Sequence, residues 1–396
     1  MTEVTSYDPL DPATVADPFP AYAWLREQCP VHRTDQFGHP LYTLSRREDV
    51  YAILTDPWNW SNQLGPGVGY AGAERRGDIQ RFDPPEHTAR RKFARREFNP
   101  VETVKLESTV RALAVRTADQ MLGSAQPFEL HDGCALPLPI LGFIDMMGVS
   151  EEDRTNIKAW ADEMVQGLSD PYAGGHGLGQ MQRYAKAKIR SVRAGDDTPE
   201  GLLRTYALQP FDGELMAEEE LANMFSQLLV AGHETTTSLI TNMVFRLLER
   251  RPLWEQVCAD PSLCEVAVEE SLRFDPPVLG LCRTNPEPAR LGDVELPPDT
   301  KIMVLYASAN RDPAAYTDPD TFRLDRPWSE LRQHYSFGWG MHHCLGAPLA
   351  RQTARVALET LVERFPTLRL AGNHGDTERI APEFLWGRRR MYVAWD

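Results

Sequence analysis

The ten residues from Phe337 to Gly346, FGWGMHHCLG, place Cys344 in a turn with glycines at 338, 340 and 346, directly ahead of the helix-like run APLARQTARVALETLVERF. Glycine permits backbone conformations that a β-carbon forbids and lets the chain approach a flat ligand closely. A thiol just before a helix meets the positive end of the helix dipole and unpaired N–H groups, which stabilise the thiolate. A thiolate held in that way is a metal ligand. Two blander readings compete. A lone cysteine is most often a small buried hydrophobe. His334, His342, His343 and Cys344 could also be read as a zinc cluster, but adjacent His-His-Cys lacks the paired spacing of structural zinc sites.

The pattern FxxGxxxCxG, here Phe337, Gly340, Cys344 and Gly346, resembles the haem-binding loop of the cytochrome P450 family. The resemblance implies haem b, iron protoporphyrin IX, with Cys344 as the iron ligand; cysteine ligation pushes electron density toward dioxygen and favours O–O cleavage. Ala231-Gly232-His233-Glu234-Thr235-Thr236 looks like the family's oxygen-activating segment, in which a glycine and an acid–threonine pair loosen a long helix. A threonine hydroxyl can exchange its bond to a backbone carbonyl for another partner, and the neighbouring carboxylate can bring protons from solvent. Glu234 and Thr235 are thus the catalytic candidates, and His233 is given no catalytic role. Read alone, Glu-Thr-Thr is a polar interruption of a surface helix. The apolar residues around it argue for burial, and a buried carboxylate needs a reason.

Glu270-Ser271-Leu272-Arg273 resembles the family's ExxR signature. Residues three apart share a helix face and can form a fork-like pair, so Glu270 and Arg273 are expected to be structural, with Arg326 of FRLDR as a third partner. The family match also assigns His87 and Arg91, Arg283 and His342 to the haem propionates, whose charges need cationic partners. By location only, the 61–80 loop, the glycine-rich 169–180 segment, Gln227, Leu228, Ala231, Leu279 to Leu281 and Phe384 to Trp386, with Leu385 between them, would wall a substrate pocket. Two glycine-rich stretches over one cavity suggest a lid. Most of these side chains are apolar, which favours a hydrophobic small organic substrate.

The elements that must position these residues follow from periodicity. DPFPAYAWLREQ (17–28) reads as a first helix, PLYTLSR as a strand and EDVYAIL as a helix. A helix after Asp83-Pro84-Pro85 carries His87 and Arg91 on one face. The apolar spacing is helical over 103–166, breaks at 169–180, resumes over 181–209 and is clearest over 217–250, where few breakers occur. Residues 264–274 form another helix, followed by strand-like VELPP and KIMVLYAS. The expected class is mainly α with a smaller β portion, a cytochrome P450 fold in one haem-centred domain over 1–396, with 1–16 as a polar N-terminal extension.

A chain of 396 residues with 42% hydrophobic and 25% charged residues is ordinary for a globular protein. The net charge of −15 argues against nucleic-acid binding. A local exception is Arg90, Arg91, Lys92, Arg95 and Arg96, either a solvated helix face or a docking patch for an acidic ferredoxin. The polar, proline-rich start carries no apolar signal core or membrane span, and six scattered cysteines suit a reducing compartment. A cytoplasmic bacterial-type enzyme without disulfides is expected. The reaction the resemblance implies is insertion of one oxygen atom from dioxygen, with electrons from a ferredoxin, its reductase and NAD(P)H. A hydrogen-peroxide-dependent peroxygenase of the same fold is the rival enzyme reading, though members of that type replace the acid–threonine pair. A haem-based ligand sensor is the non-catalytic reading.

Overall fold

The structure is a computed structural model, and it describes residues 6–71, 79–169, 175–196, 198–372 and 384–396. The chain divides into two compact units: residues 1–90, 266–345 and 383–386 form the first, and residues 91–265, 346–382 and 387–396 the second.

The first unit is built on a four-stranded sheet in the order Val31–Thr34, Leu41–Leu44, Lys301–Val304 and Leu281–Thr284. Its central pair is parallel, with Leu41 opposite Lys301, and both outer pairs are antiparallel. The two central strands are buried along their whole length, which is why they read as short apolar runs without alternation. Helix Phe19–Gln28 buries Phe19, Tyr22 and Leu25 in a cluster with Leu41, Leu305 and Trp386. Tyr7 joins that cluster, its ring edge-on to His32 at 5.3 Å. Part of the segment expected to be a polar extension is therefore anchored in the core.

The second unit is helical. Helix Glu107–Leu122 buries Val110, Leu113, Ala114, Thr117, Ala118 and Met121, the three-four spacing of an amphipathic stripe. Helix Glu218–Glu249 has 32 residues and buries 20 of them on all sides, and at 1.5 Å per residue it extends about 48 Å. A helix apolar all round belongs inside a protein. Helices Arg154–Ser169, Gly175–Ala194 and Ala347–Arg364 pack in the same unit, beside a small sheet in the order Arg369–Leu370, Tyr392–Ala394, Phe128–Glu129.

The break expected over 169–180 is narrower than its glycines suggest, because helix Gly175–Ala194 already includes 175–180. A β-carbon on Gly177 would lie 2.6 Å from the Trp160 carbonyl oxygen, so this glycine permits close packing of two helices rather than breaking one. Residues 170–174 of that segment, and 72–78 of the expected 61–80 loop, lie outside the described residues. Among the described residues, no helix is long and apolar enough to cross a membrane. None of the six cysteines, all of them described, forms a disulfide.

Candidate active site

The Cys344 loop is held open by backbone geometry. Gly338 and Gly340 have φ of +66° and +69°, a region that glycine enters without steric penalty. At Gly340 there is a second constraint: a β-carbon would fall 2.3 Å from the Leu54 carbonyl oxygen, on helix Arg47–Thr55. Gly346 has an ordinary φ of −80° and caps helix Ala347–Arg364, so its role is at the helix start and not in a left-handed turn. The Cys344 N–H donates to the Phe337 oxygen at 2.7 Å, closing the loop, and Cys344 itself is exposed. An exposed thiol two residues before a helix N-cap is open to a metal ion. The zinc reading has no convergence behind it, since His334 turns to Glu269 at 3.0 Å and His343 packs on Phe337 with ring centroids 6.2 Å apart.

His87, Arg283 and His342 belong to the same unit as the thiol. His87, on helix Glu86–Ala94, is buried and its ring centre lies 4.1 Å from that of His342. Arg283 is buried on strand Leu281–Thr284 and donates from Nη1 to the Cys282 oxygen at 3.0 Å. Burial pushes the Tyr306 phenol up, with the Arg283 guanidinium opposing it. Arg91 follows His87 by one helical turn and is half-buried. One soft sulfur donor together with imidazole and guanidinium groups is the donor set that a thiolate-ligated iron and two carboxylates require.

Comparison with known proteins agrees with this chemistry. The family model described as Cytochrome P450 matches residues 256–393. The chain is 34% identical to the cytochrome P450 monooxygenase PikC of Streptomyces venezuelae, over 96% of this chain and 91% of that one. This protein belongs to the cytochrome P450 family. It is also 34% identical to the erythromycin C-12 hydroxylase of Saccharopolyspora erythraea, over 96% of this chain and 95% of the relative. The solved cytochrome P450 CYP109Q5 from Chondromyces apiculatus superposes with a TM-score of 0.88 at 28% identity, covering 98% of each chain. The chain is thus a P450 monooxygenase, mainly α with a smaller β portion, and haem is the family's cofactor.

In this P450 the long helix runs unbroken through Gly232, so the expected local loosening is absent. The Thr235 hydroxyl donates to the Ala231 oxygen at 2.8 Å, a bond that fits within the helical ladder without breaking it. Gln227 and Leu228 are half-buried, Ala231 is exposed and Thr235 is half-buried, at three-four spacing along one face of the helix. Glu234 points elsewhere. It is buried, accepts from Ser238 Oγ at 3.3 Å, and lies 3.9 Å from His131 Nε2. Burial lowers the His131 pKa, but the carboxylates of Glu234 and Asp132 outweigh it and leave the ring above the ordinary histidine value. His233 goes the other way: burial holds it down despite Glu234 and Asp162, the latter at 3.7 Å. Sequence reasoning missed His131 altogether, and no spacing rule connects it to Glu234.

Glu270, Arg273 and Arg326 come together in the first unit. Arg273 bonds Glu270 in a fork at 2.7 and 2.8 Å, and Arg326 Nε reaches the same carboxylate at 3.0 Å. Both arginines also donate to backbone oxygens of the 317–321 turn. Of the expected pocket residues, Leu281 is half-buried, while Leu279 and Leu385 are buried. Leu279 packs in the cluster of Phe19 and Trp386, and its N–H donates to the Phe384 oxygen at 2.8 Å. Trp386 donates from Nε1 to Asp275 at 3.2 Å. Leu279 and Trp386 are accordingly core residues of the first unit.

Proposed function

We propose that Cys344 of this P450 would hold the haem iron through its sulfur and that the enzyme inserts one atom of dioxygen into a C–H bond of a hydrophobic small organic molecule. The observation that carries this reading is an exposed thiol in a loop fixed by two left-handed glycines ahead of a helix. His87, Arg91, Arg283 and His342 would hold the propionates of the bound haem. When bound, haem supplies the redox chemistry that activates dioxygen.

The chain's own residues do the rest. Glu234, a buried carboxyl on the long helix, carries a proton. Thr235 would receive it at Oγ1 and release its own hydroxyl hydrogen onward, once that hydroxyl turns from the Ala231 carbonyl. Gln227, Leu228 and Ala231 contact the substrate, and the name of the erythromycin C-12 hydroxylase supports hydroxylation at a carbon position. Electrons come from an external ferredoxin that docks on Lys92, Arg95 and Arg96, which are exposed, together with half-buried Arg90 and Arg91. Local positive charge on a chain of net charge −15 favours an acidic partner. The cytoplasm, where thiols stay reduced, suits six cysteines outside disulfides. The intact Glu234–Thr235 pair favours dioxygen over hydrogen peroxide as the oxidant.

The test is the carbon monoxide spectrum of the reduced protein, which carries the band of sulfur-ligated haem if Cys344 is the ligand. Cys344→Ala should abolish both that band and oxidation. A folded Cys344→Ala variant that retains either one refutes the assignment.

A further inference from the structure

A buried carboxylate that gives up a proton in each turnover must be reloaded, and on its own helix Glu234 accepts from the Ser238 hydroxyl, which is itself buried. The route lies on a different segment. Residues His131–Ala135 form a single π-helical turn, closed by the Leu136 N–H on the His131 oxygen at 2.8 Å. Such turns are rare and concentrate at functional sites. Glu129 pins this one, accepting from the backbone N–H groups of His131 at 3.1 Å, Asp132 at 2.6 Å and Met391 at 2.9 Å. With the Glu129 oxygens so engaged, the His131 ring stands between two other carboxylates. Nδ1 is 2.7 Å from Asp132 Oδ1, and Nε2 is 3.9 Å from Glu234 Oε1.

One of the three groups is open to solvent and two are buried. The Asp132 side chain is 76% exposed, that of His131 7% and that of Glu234 9%. Asp132 meets water, and the His131 ring, itself enclosed, stands between it and the buried Glu234. We infer that His131, held by Asp132, is the proton-relay residue that reloads Glu234, an inference that rests on the proposed role of Glu234. In the charged ring both nitrogens bear hydrogen, Nδ1–H on Asp132 and Nε2–H toward Glu234. When Glu234 has surrendered its proton, the Nε2–H bond breaks and an O–H bond forms at Oε1, leaving a neutral ring. A turn about χ2 brings the bare Nε2 to the edge of the ring beside exposed Asp132, where it takes a proton from solvent hydronium, and the recharged ring turns back so that Nδ1–H again meets Asp132 and Nε2–H faces Glu234. The 3.9 Å gap is longer than a hydrogen bond, so transfer needs a small turn of the carboxylate or one bridging water.

The groups that bear on the ring are Glu234 and Asp132, with Glu129 at the base of the turn and His233 one residue from Glu234. Helices Glu107–Leu122 and Pro137–Met147 also pack against the turn; Arg111 pairs with Glu107 and Glu359, Asp119 with Arg364 and Asp145 with Arg154, and Arg116 is exposed to solvent. The raised His131 pKa follows from its two carboxylate neighbours and keeps the ring charged further toward neutral pH than an ordinary histidine.

The experiment combines a titration with turnover in the haem-loaded enzyme. In the diamagnetic reduced, carbon monoxide-bound form with labelled histidine, the His131 ring should titrate above the ordinary histidine value, and Glu234→Gln should lower that midpoint by at least half a pH unit. His131→Gln should keep the thiolate-type carbon monoxide band while cutting product formed per electron consumed about tenfold and shifting the pH profile. Exposed Asp132→Asn, which removes no buried group, should move both readouts in the same direction by a smaller factor. An unchanged His131 midpoint in Glu234→Gln, or unchanged coupling in both His131→Gln and Asp132→Asn, overturns the relay. Loss of the Cys344 reading is separate, since it appears as a missing carbon monoxide band in the wild type. Loss of the Glu234 reading appears as normal turnover in Glu234→Gln.

Discussion

Glu270→Ala would strand two buried cations, and its effect can be worked from the contacts. The side chains of Glu270 and Arg273 are wholly buried and that of Arg326 is 1% exposed. The two carboxylate oxygens of Glu270 accept from Arg273 Nε and Nη2, Arg326 Nε and the Arg323 backbone N–H, all between 2.7 and 3.0 Å. Without Glu270, Arg273 keeps its bonds to the Asn310, Pro319 and Thr321 oxygens, and Arg326 keeps Glu330 at 3.0 Å. The loss is therefore one of charge balance more than of hydrogen bonds. Removing one partner of a buried pair destabilises by about 3–5 kcal/mol, and since Arg326 retains a second carboxylate we take about 4. Unfolding entropy of about 2.1 cal/mol/K per residue gives about 0.8 kcal/mol/K for a chain of 396 residues, hence a Tm about 5 °C lower. The assay is thermal and urea unfolding of the haem-loaded protein followed by circular dichroism. Arg273→Met added to Glu270→Ala should be less damaging than the sum of the two single changes by about 1–3 kcal/mol, because it removes one of the stranded charges. A single-variant loss below about 1 kcal/mol, or strict additivity in the double variant, would refute the charge argument.

Gly340→Ala should be worse than Gly338→Ala: both force a side chain into a left-handed φ, but only the first meets a backbone oxygen at 2.3 Å, so haem incorporation should fall further, read by the absorbance ratio of haem to protein. Lys301 donates to the oxygens of Leu64, Gly65 and Gly67 at 2.9, 2.6 and 3.0 Å, and burial pushes its pKa down to about 8. The unfolded chain then binds the extra proton between that pH and the ordinary value of 10.5, so Lys301 makes stability rise with pH across this window; Lys301→Met should flatten that rise in urea titrations at pH 7.5, 9 and 10. Reversing Lys92, Arg95 and Arg96 to glutamate should weaken an acidic ferredoxin about tenfold or more at low salt, with the difference shrinking as ionic strength rises. Equal affinity at low salt would place the docking surface elsewhere.

Sequence alone determined what depends on neighbours along the chain. Glu270 and Arg273 share a helix face because three residues make most of a turn, and glycines around Cys344 announce a turn because few other residues enter positive φ. The long stretch 217–250, with few breakers and apolar residues around its Glu-Thr-Thr, likewise meant a buried helix, and it spans Glu218–Glu249. Tertiary structure decided what depends on strangers in sequence. Gly177 looked like a breaker and is a packing contact against Trp160, because the identity of its neighbour is set by another helix. Tyr7 looked like part of a polar tail and is core, because one aromatic ring gains more from burial than its polar surroundings oppose. Lys301 looked like the charged start of a strand and is a buried clamp on three carbonyls. His131 was silent in sequence for the same reason: its charge and direction come from Glu234 and Asp132 together, and only folding brings a carboxylate from the long helix to within 3.9 Å of its ring.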